Sequence, residues 1–324
     1  MTPSWQSELA DSFTDPVALL RFLGLATDNF DPIAATSHFP FRVTKAYAER
    51  IRKGDFNDPL LRQVLPDIAE KLEAAGFNSD PVGDLSSVSH PGVLHKYQGR
   101  ALLVTTGACA IHCRYCFRRE FPYEGQQLVK SREFAALESI GEDPSIQEVI
   151  LSGGDPLVLS NQRLAGLVSS INRIPHVRRL RIHSRLPIVL PSRVDSELLA
   201  LFGTARLRVV MVIHANHPHE LDGPVVQAIL AMTRLGMTVL NQSVLLRGIN
   251  DSADSLVELS EKLFESGALP YYLHLLDRVT GTAHFEVPEG QARQLMDELR
   301  KQLPGYLVPK LVREIPGAPY KQPV

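Results

Sequence analysis

From about Leu102 to Leu276, short β-branched or apolar runs alternate with segments of helical period, and that alternation restricts the chain to a parallel sheet flanked by helices. Six runs read as strands: Ala101 to Thr106, Glu148 to Ser152, Leu180 to His183, Leu207 to His214, Thr238 to Leu246 and Pro270 to Leu276. Between them Leu164, Leu167, Val168 and Ile171 fall at i, i+3, i+4 and i+7, and Leu256, Leu259 and Leu263 share one helical face. Six βα units are too few to close an eight-stranded barrel, so the expected α/β architecture is an open, partial, TIM-like barrel of about six units. Residues 1–85 read as a helical N-terminal extension, with a helical stretch over Asp58 to Ala75 and Pro-bearing connections at Asp31-Pro32 and Asp80-Pro81. Residues 86–287 are the expected barrel. Residues 288–324 are a C-terminal segment in which a helix from Pro288 to Leu303 gives way to the run Leu307 to Val312.

The 324-residue chain has three cysteines, Cys109, Cys113 and Cys116, spaced C-x3-C-x2-C just after the first expected barrel strand. Three thiolates at that spacing can hold three corners of a 4Fe-4S cluster and leave the fourth iron open to a substrate or cofactor. A structural zinc takes four protein ligands and would need His112 or another residue to complete its set. Disulfides fit poorly, because the count is odd and the run Met1 to Ser7 lacks the basic and apolar regions of a signal peptide. The expected setting is the reducing cytoplasm. A formal charge of -2, from 34 basic and 36 acidic residues, gives no global attraction to nucleic acid or to an anionic membrane. No apolar run approaches the ~20 residues of a membrane-spanning helix.

Active sites of parallel αβ barrels lie at the C-terminal ends of the strands. There the sequence carries Ser152-Gly153-Gly154-Asp155-Pro156, His183-Ser184-Arg185, His214-Ala215-Asn216-His217, Asn241-Gln242-Ser243 and Asp277. Paired glycines let a backbone approach a ligand closely. His214, His217 and His219 are read as hydrogen-bonding residues at a strand end, with no metal assigned to them.

With Tyr115 before the last cysteine, the C-x3-C-x2-C motif resembles the signature of the radical S-adenosylmethionine (SAM) superfamily. In that superfamily the open iron chelates SAM, and an electron from the cluster cleaves it to methionine and a 5'-deoxyadenosyl radical. Gly153, Gly154 and Asp155 resemble its glycine-rich SAM-binding motif, and His214 and Gln242 match positions near the SAM ribose and adenine. The segment Glu314-Ile315-Pro316-Gly317-Ala318-Pro319-Tyr320-Lys321 resembles the loop that carries the pyridoxal 5'-phosphate (PLP) lysine of the lysine 2,3-aminomutase family. The likeness runs from about Lys96 to Lys321, through His214 to Pro218, Asn241 to Leu246, and Tyr271, Leu273, Asp277, Gly281 and His284-Phe285.

This resemblance implies conversion of L-α-lysine to (R)-β-lysine by radical migration of the amino group. Lys321 would hold PLP as a Schiff base, with Arg185, Lys96 and Tyr97 around the cofactor's phosphate. Arg118 would pair with the substrate carboxylate, and Asp277 and Glu314 with the ε-ammonium; Glu314 departs from the aspartate usual at its position. The implied partners are L-lysine and a reducing electron donor. Because only Gln322-Pro323-Val324 follow Lys321, the chain most resembles the compact bacterial branch that supplies β-lysine to the ligase modifying elongation factor P. The alternatives are a stand-alone mutase of lysine catabolism and, from another class, a non-catalytic metal or iron-sulfur module for which Lys321 would be dispensable. The oligomeric state has no signature in the sequence.

Overall fold

The structure, a computed structural model, describes residues 4–27 and 39–324. The Asp31-Pro32 connection lies outside them. Ten strands among these residues form one sheet in chain order. They are β1 (Val88–His90), β2 (Val93–Leu94), β3 (Arg100–Thr106), β4 (Glu148–Gly153), β5 (Arg179–Ser184), β6 (Arg208–Ile213), β7 (Thr238–Val244), β8 (Leu269–His274), β9 (Lys310–Arg313) and β10 (Gln322–Pro323). Neighbours from β3 to β9 run parallel. Antiparallel strands border this parallel set, β1 and β2 on one side and β10 on the other. The edges β1 and β10 do not pair with each other, so the barrel stays open.

The six strands expected from apolar periodicity are β3 to β8, and the helices between them bury the faces that the periodicity marked. Leu164, Leu167, Val168 and Ile171 are the buried residues of Asn161–Asn172. In Ala253–Glu265 the buried set includes Leu256, Leu259 and Leu263. Strands β1, β2, β9 and β10 were not expected, since none is longer than four residues and a period of two needs more residues than that to register. The helical stretch over Asp58 to Ala75 also needs correction. It is a four-residue helix, Pro59–Arg62, capped by Asp58, followed by a separate 3-10 turn at Ile68–Lys71. Pro66 lies between them and cannot donate a helical hydrogen bond.

Successive strand residues point to opposite faces of the sheet. On β3, β4 and β5, Ala101, Leu103, Val149, Leu151, Leu180 and Ile182 are buried in one hydrophobic cluster with the helical layer. Leu19, Leu20, Tyr47, Leu60 and Leu61 of the N-terminal extension belong to that same cluster. The opposite faces carry Arg100, Leu102, Ile150, Ser152, Arg181, His183, Gln242, Val244, Tyr272 and His274, and these line an interior cavity. No helix among the described residues is long and apolar enough to cross a membrane.

Leu151 is fully buried on β4. Leu151→Ala is expected to cost about 2–5 kcal/mol of stability, read as a lowered urea-unfolding midpoint with an unchanged slope.

Candidate active site

A cavity of about 510 Å³ occupies the barrel interior and the C-terminal ends of its strands. All fifteen residues given a cluster, cofactor or substrate role line it: Lys96, Tyr97, Cys109, Cys113, Cys116, Arg118, Gly153, Gly154, Asp155, Arg185, His214, Gln242, Asp277, Glu314 and Lys321. They come from both flanks of the sheet as well as from its middle.

The three cysteines are free thiols on the loop that follows β3. The end of β4 presses on this loop: Gly154 N donates to Thr106 O (2.7 Å) and Asp155 N to Ala108 O (2.8 Å). A Cβ at Gly154 would stand 2.4 Å from Ala108 O, and one at Gly153 would stand 2.6 Å from Thr106 O. Gly153 also has φ +121°, a conformation that favours glycine. The glycine pair therefore has a packing task. Asp155 anchors the next strand, since its carboxylate accepts from Leu157 N (3.0 Å), Ser184 Oγ (2.7 Å), Arg185 N (2.7 Å) and Leu186 N (3.2 Å). Burial pushes its pKa up to about 6 in spite of those bonds. A carboxylate has about four acceptor sites and protein donors take them, which favours a scaffolding role for Asp155 over the direct SAM contact expected of it. From the other side, Arg114 forms a bidentate pair with Glu70, and Arg119 Nη2 donates to the same carboxylate (2.7 Å).

Arg185 lies at the cysteine end. Its Nη1 donates to Cys113 Sγ (2.6 Å), while Nη2 donates to Gln63 Oε1 (2.6 Å) and to the buried Glu220 Oε2 (2.9 Å). These partners set the Arg185 guanidinium beside the cluster-type thiols, whereas the role expected of it was at the PLP phosphate. Arg185 Nε, His183 Nε2, His214 Nε2, His274 Nε2 and Gln242 Oε1 are buried without a hydrogen-bond partner among the described residues. Buried polar atoms are normally hydrogen-bonded, and these five belong to cavity-lining side chains. Burial, foremost, lowers His214 to about 4 and takes His183 and His274 well below the ordinary histidine range, so all three are neutral at physiological pH.

Elsewhere on the cavity wall Lys321 Nζ pairs with Glu314, whose other oxygen accepts from Lys96 Nζ (3.0 Å). Burial alone would raise Glu314, but the Lys321 and Lys96 ammoniums outweigh it and hold the carboxyl well below its usual range. Asp277 goes the other way: burial, and then the Glu314 charge, push it up to about 7. The guanidinium of Arg100 lies over the Tyr97 ring, 5.2 Å from its centroid.

Asp84, Arg100, Arg181 and His274 line the same cavity and were not singled out. Three of them had a signal, a polar side chain on the inward face of a strand whose other face is apolar. Asp84 had none, because it lies ahead of the barrel strands in the segment read as an appendage.

Residues 103–259 match the Radical SAM superfamily. The L-lysine 2,3-aminomutase of Escherichia coli (strain K12) is 48% identical over 328 residues, covering 100% of this chain and 96% of the relative. The chain belongs to the lysine 2,3-aminomutase family. Within it, the L-lysine 2,3-aminomutase of Haemophilus influenzae is 45% identical over 98% of this chain and 94% of its own length. That of Clostridium subterminale is 32% identical over 99% of this chain and 77% of its own. Membership makes the chain an enzyme of the isomerase kind and implies a 4Fe-4S cluster and SAM. The site fits both groups: three thiols share one loop facing the cavity, thiolates being the donors that iron-sulfur clusters select, and the unpartnered atoms of His214 and Gln242 suit a polar nucleoside.

Gly154→Ala is expected to displace the cysteine loop, at about 1–3 kcal/mol for the overpacking. Iron and sulfide retained after anaerobic reconstitution should fall below the wild-type content. Gly166→Ala, where a Cβ meets nothing within 4 Å, should retain both.

Proposed function

We propose that this protein converts L-α-lysine to (R)-β-lysine, moving the α-amino nitrogen from C2 to C3, with PLP carried on Lys321. The observation that carries this reading is a single cavity holding three cluster-type thiols, a lysine paired with an acid, a second acid and a buried arginine. Full-length identity to proteins named L-lysine 2,3-aminomutase supports it. When bound, the cluster and SAM supply a radical able to take hydrogen from an unactivated C–H bond, and PLP supplies the π-system that stabilises the migrating nitrogen.

Cys109, Cys113 and Cys116 hold the cluster, with the Arg185 guanidinium beside Cys113. The free polar atoms of His214 and Gln242 orient SAM, and Gly153 and Gly154 bring the backbone close to it. Lys321 provides the amine for covalent attachment of PLP. Tyr97 and Arg100 provide hydroxyl and cationic donors for a phosphate, and Lys96, whose three N–H donors go to Val82 O, Asp84 and Glu314, adds positive charge beside it; Arg185 is placed with the thiols in this reading. Arg118 presents a guanidinium suited to a carboxylate. Asp277 and Glu314 offer the opposing negative charge for the ε-ammonium, so a lysine is oriented from both ends. The product is further proposed to serve the modification of elongation factor P, as the resemblance to the compact bacterial branch implies.

An anaerobic assay with SAM, PLP, a strong reductant and L-lysine should yield β-lysine by chromatography, and Lys321→Ala and Cys113→Ala should each abolish it. Formation of 5'-deoxyadenosine without β-lysine would overturn the substrate, and neither product would overturn the enzyme. In a strain lacking the gene, elongation factor P should lose the mass of a β-lysyl group; an unchanged mass assigns the product to lysine catabolism.

The raised pKa of Asp277, about 7, gives a sign for pH dependence. Below it the carboxyl is protonated and loses its attraction for the ε-ammonium, so kcat/KM for L-lysine should fall as pH drops through about 7. Asp277→Asn should flatten that limb and lower kcat/KM about 10- to 100-fold, the range for losing a hydrogen bond to a charged group.

A further inference from the structure

Asp84 opens a three-residue 3-10 turn, Leu85–Ser87, as its N-terminal cap residue, yet its side chain caps nothing. Elsewhere in the chain Asp58, Asp155, Asp195 and Asp222 occupy the same position and accept from the backbone N–H groups of the helix they precede. The Asp84 carboxylate faces inward instead and is 2% exposed. Its two oxygens serve different cations: Oδ2 accepts from Arg118 Nε at 2.7 Å, and Oδ1 is 2.6 Å from Lys96 Nζ.

Arg118 is held on several sides. Besides Asp84, its Nη1 donates to Ser152 Oγ (3.1 Å), and its guanidinium carbon lies 4.9 Å from the Phe117 ring centroid and 5.8 Å from that of Phe121. No hydrogen bond from Nη2 to a protein acceptor occurs among the described residues, and the side chain lines the cavity. Lys96 continues the chain of charges to Glu314, and Glu314 to Lys321. Arg118, Asp84, Lys96, Glu314 and Lys321 thus alternate in sign. Three cations and two anions leave one positive charge, which a single anionic group on a ligand would neutralise. The carboxyl of Asp84 stays ionised, because burial is outweighed by Arg118 and Lys96.

We infer that Asp84 is a positioning residue that orients Arg118 for the carboxylate of the amino-acid substrate and, through its second oxygen, fixes Lys96 against Glu314. The inference rests on the proposed reading of Arg118 as the carboxylate partner and extends it to a residue ahead of the barrel. Asp84 touches no ligand in this account. Its part is to stop the guanidinium from turning, so that the Nη2 edge points into the cavity.

The test uses the reconstituted holoenzyme and two ligands that differ only at the carboxylate. KM and kcat are measured for L-lysine, and an inhibition constant for L-lysinamide, in wild type, Asp84→Asn, Asp84→Glu, Arg118→Gln and the Asp84→Asn/Arg118→Gln double variant. Asp84→Asn should raise KM for L-lysine about tenfold or more and should shrink the preference for L-lysine over L-lysinamide by a similar factor, with Asp84→Glu recovering part of it. In the Arg118→Gln background the same change should reduce the preference no further. An unchanged preference in Asp84→Asn, or a loss that adds fully to that of Arg118→Gln, overturns the inference. Should Asp84→Asn not fold, Ser152→Ala removes the other group that holds the guanidinium and should lower the same preference; an unchanged ratio there overturns the inference equally. A wild-type enzyme that binds both ligands but forms no β-lysine overturns the proposed function itself.

Discussion

At the end of β4 two backbones meet with no room for a side chain between them. Gly154 N donates to Thr106 O, and Ala108 O occupies the space where a Cβ on Gly154 would go. Everything at the cysteine end follows from this contact. It fixes the start of the cysteine loop to the rim of the sheet, and Asp155, the next residue, passes the constraint to β5 by binding Ser184, Arg185 and Leu186. Arg185, placed in this way, reaches Cys113. The loop's outer side is closed by the N-terminal extension through Glu70, Arg114 and Arg119. The extension thus helps to form the site as well as covering hydrophobic surface.

The barrel interior reverses the usual expectation for such a fold, in which branched apolar side chains fill the centre. Here Arg100, Arg181, His183, Gln242 and His274 point inward. Buried charges are costly unless paired, and pairing is what the structure supplies: Arg118 with Asp84, Arg181 with Glu148, Arg185 with Glu220, and Lys96 with Asp84 and Glu314. The histidines meet the same constraint by staying neutral. Stability rests on the outer faces of the strands, where the aliphatic residues pack against helices, and this division leaves the inner face to be specified by ligands.

Much of this was legible in the residues. Strands β3 to β8 are long enough for apolar patterning to mark them, and strand ends in a parallel sheet point to the site, so Cys109, Gly154, His214 and Asp277 could be found by position alone. Lys321, Lys96 and Glu314 could not, since their elements are short and their place beside the barrel depends on edge pairing; only a family likeness reached them. The hydrogen-bond partners of Asp155 and Arg185 were out of reach for a different reason. A residue type and a position show that a side chain is near a site, whereas its hydrogen-bond partners decide whether it faces a ligand or holds a neighbour. Asp84 was missed entirely because it lies ahead of the barrel strands, in a segment read as an appendage.

The pairing of β9 with β10 has one further consequence. Gln322 is opposite Arg313 in this antiparallel ladder, so Glu314 and Lys321 are the two residues that flank its connecting loop, facing each other across the hairpin mouth. Their ion pair is therefore a product of strand register. A one-residue slip in the pairing of β9 with β10 would turn one side chain to the other face of the ribbon, separating amine from carboxylate while leaving both in the sequence. Strand register in this hairpin is a chemical variable, as decisive for the site as the identity of either residue.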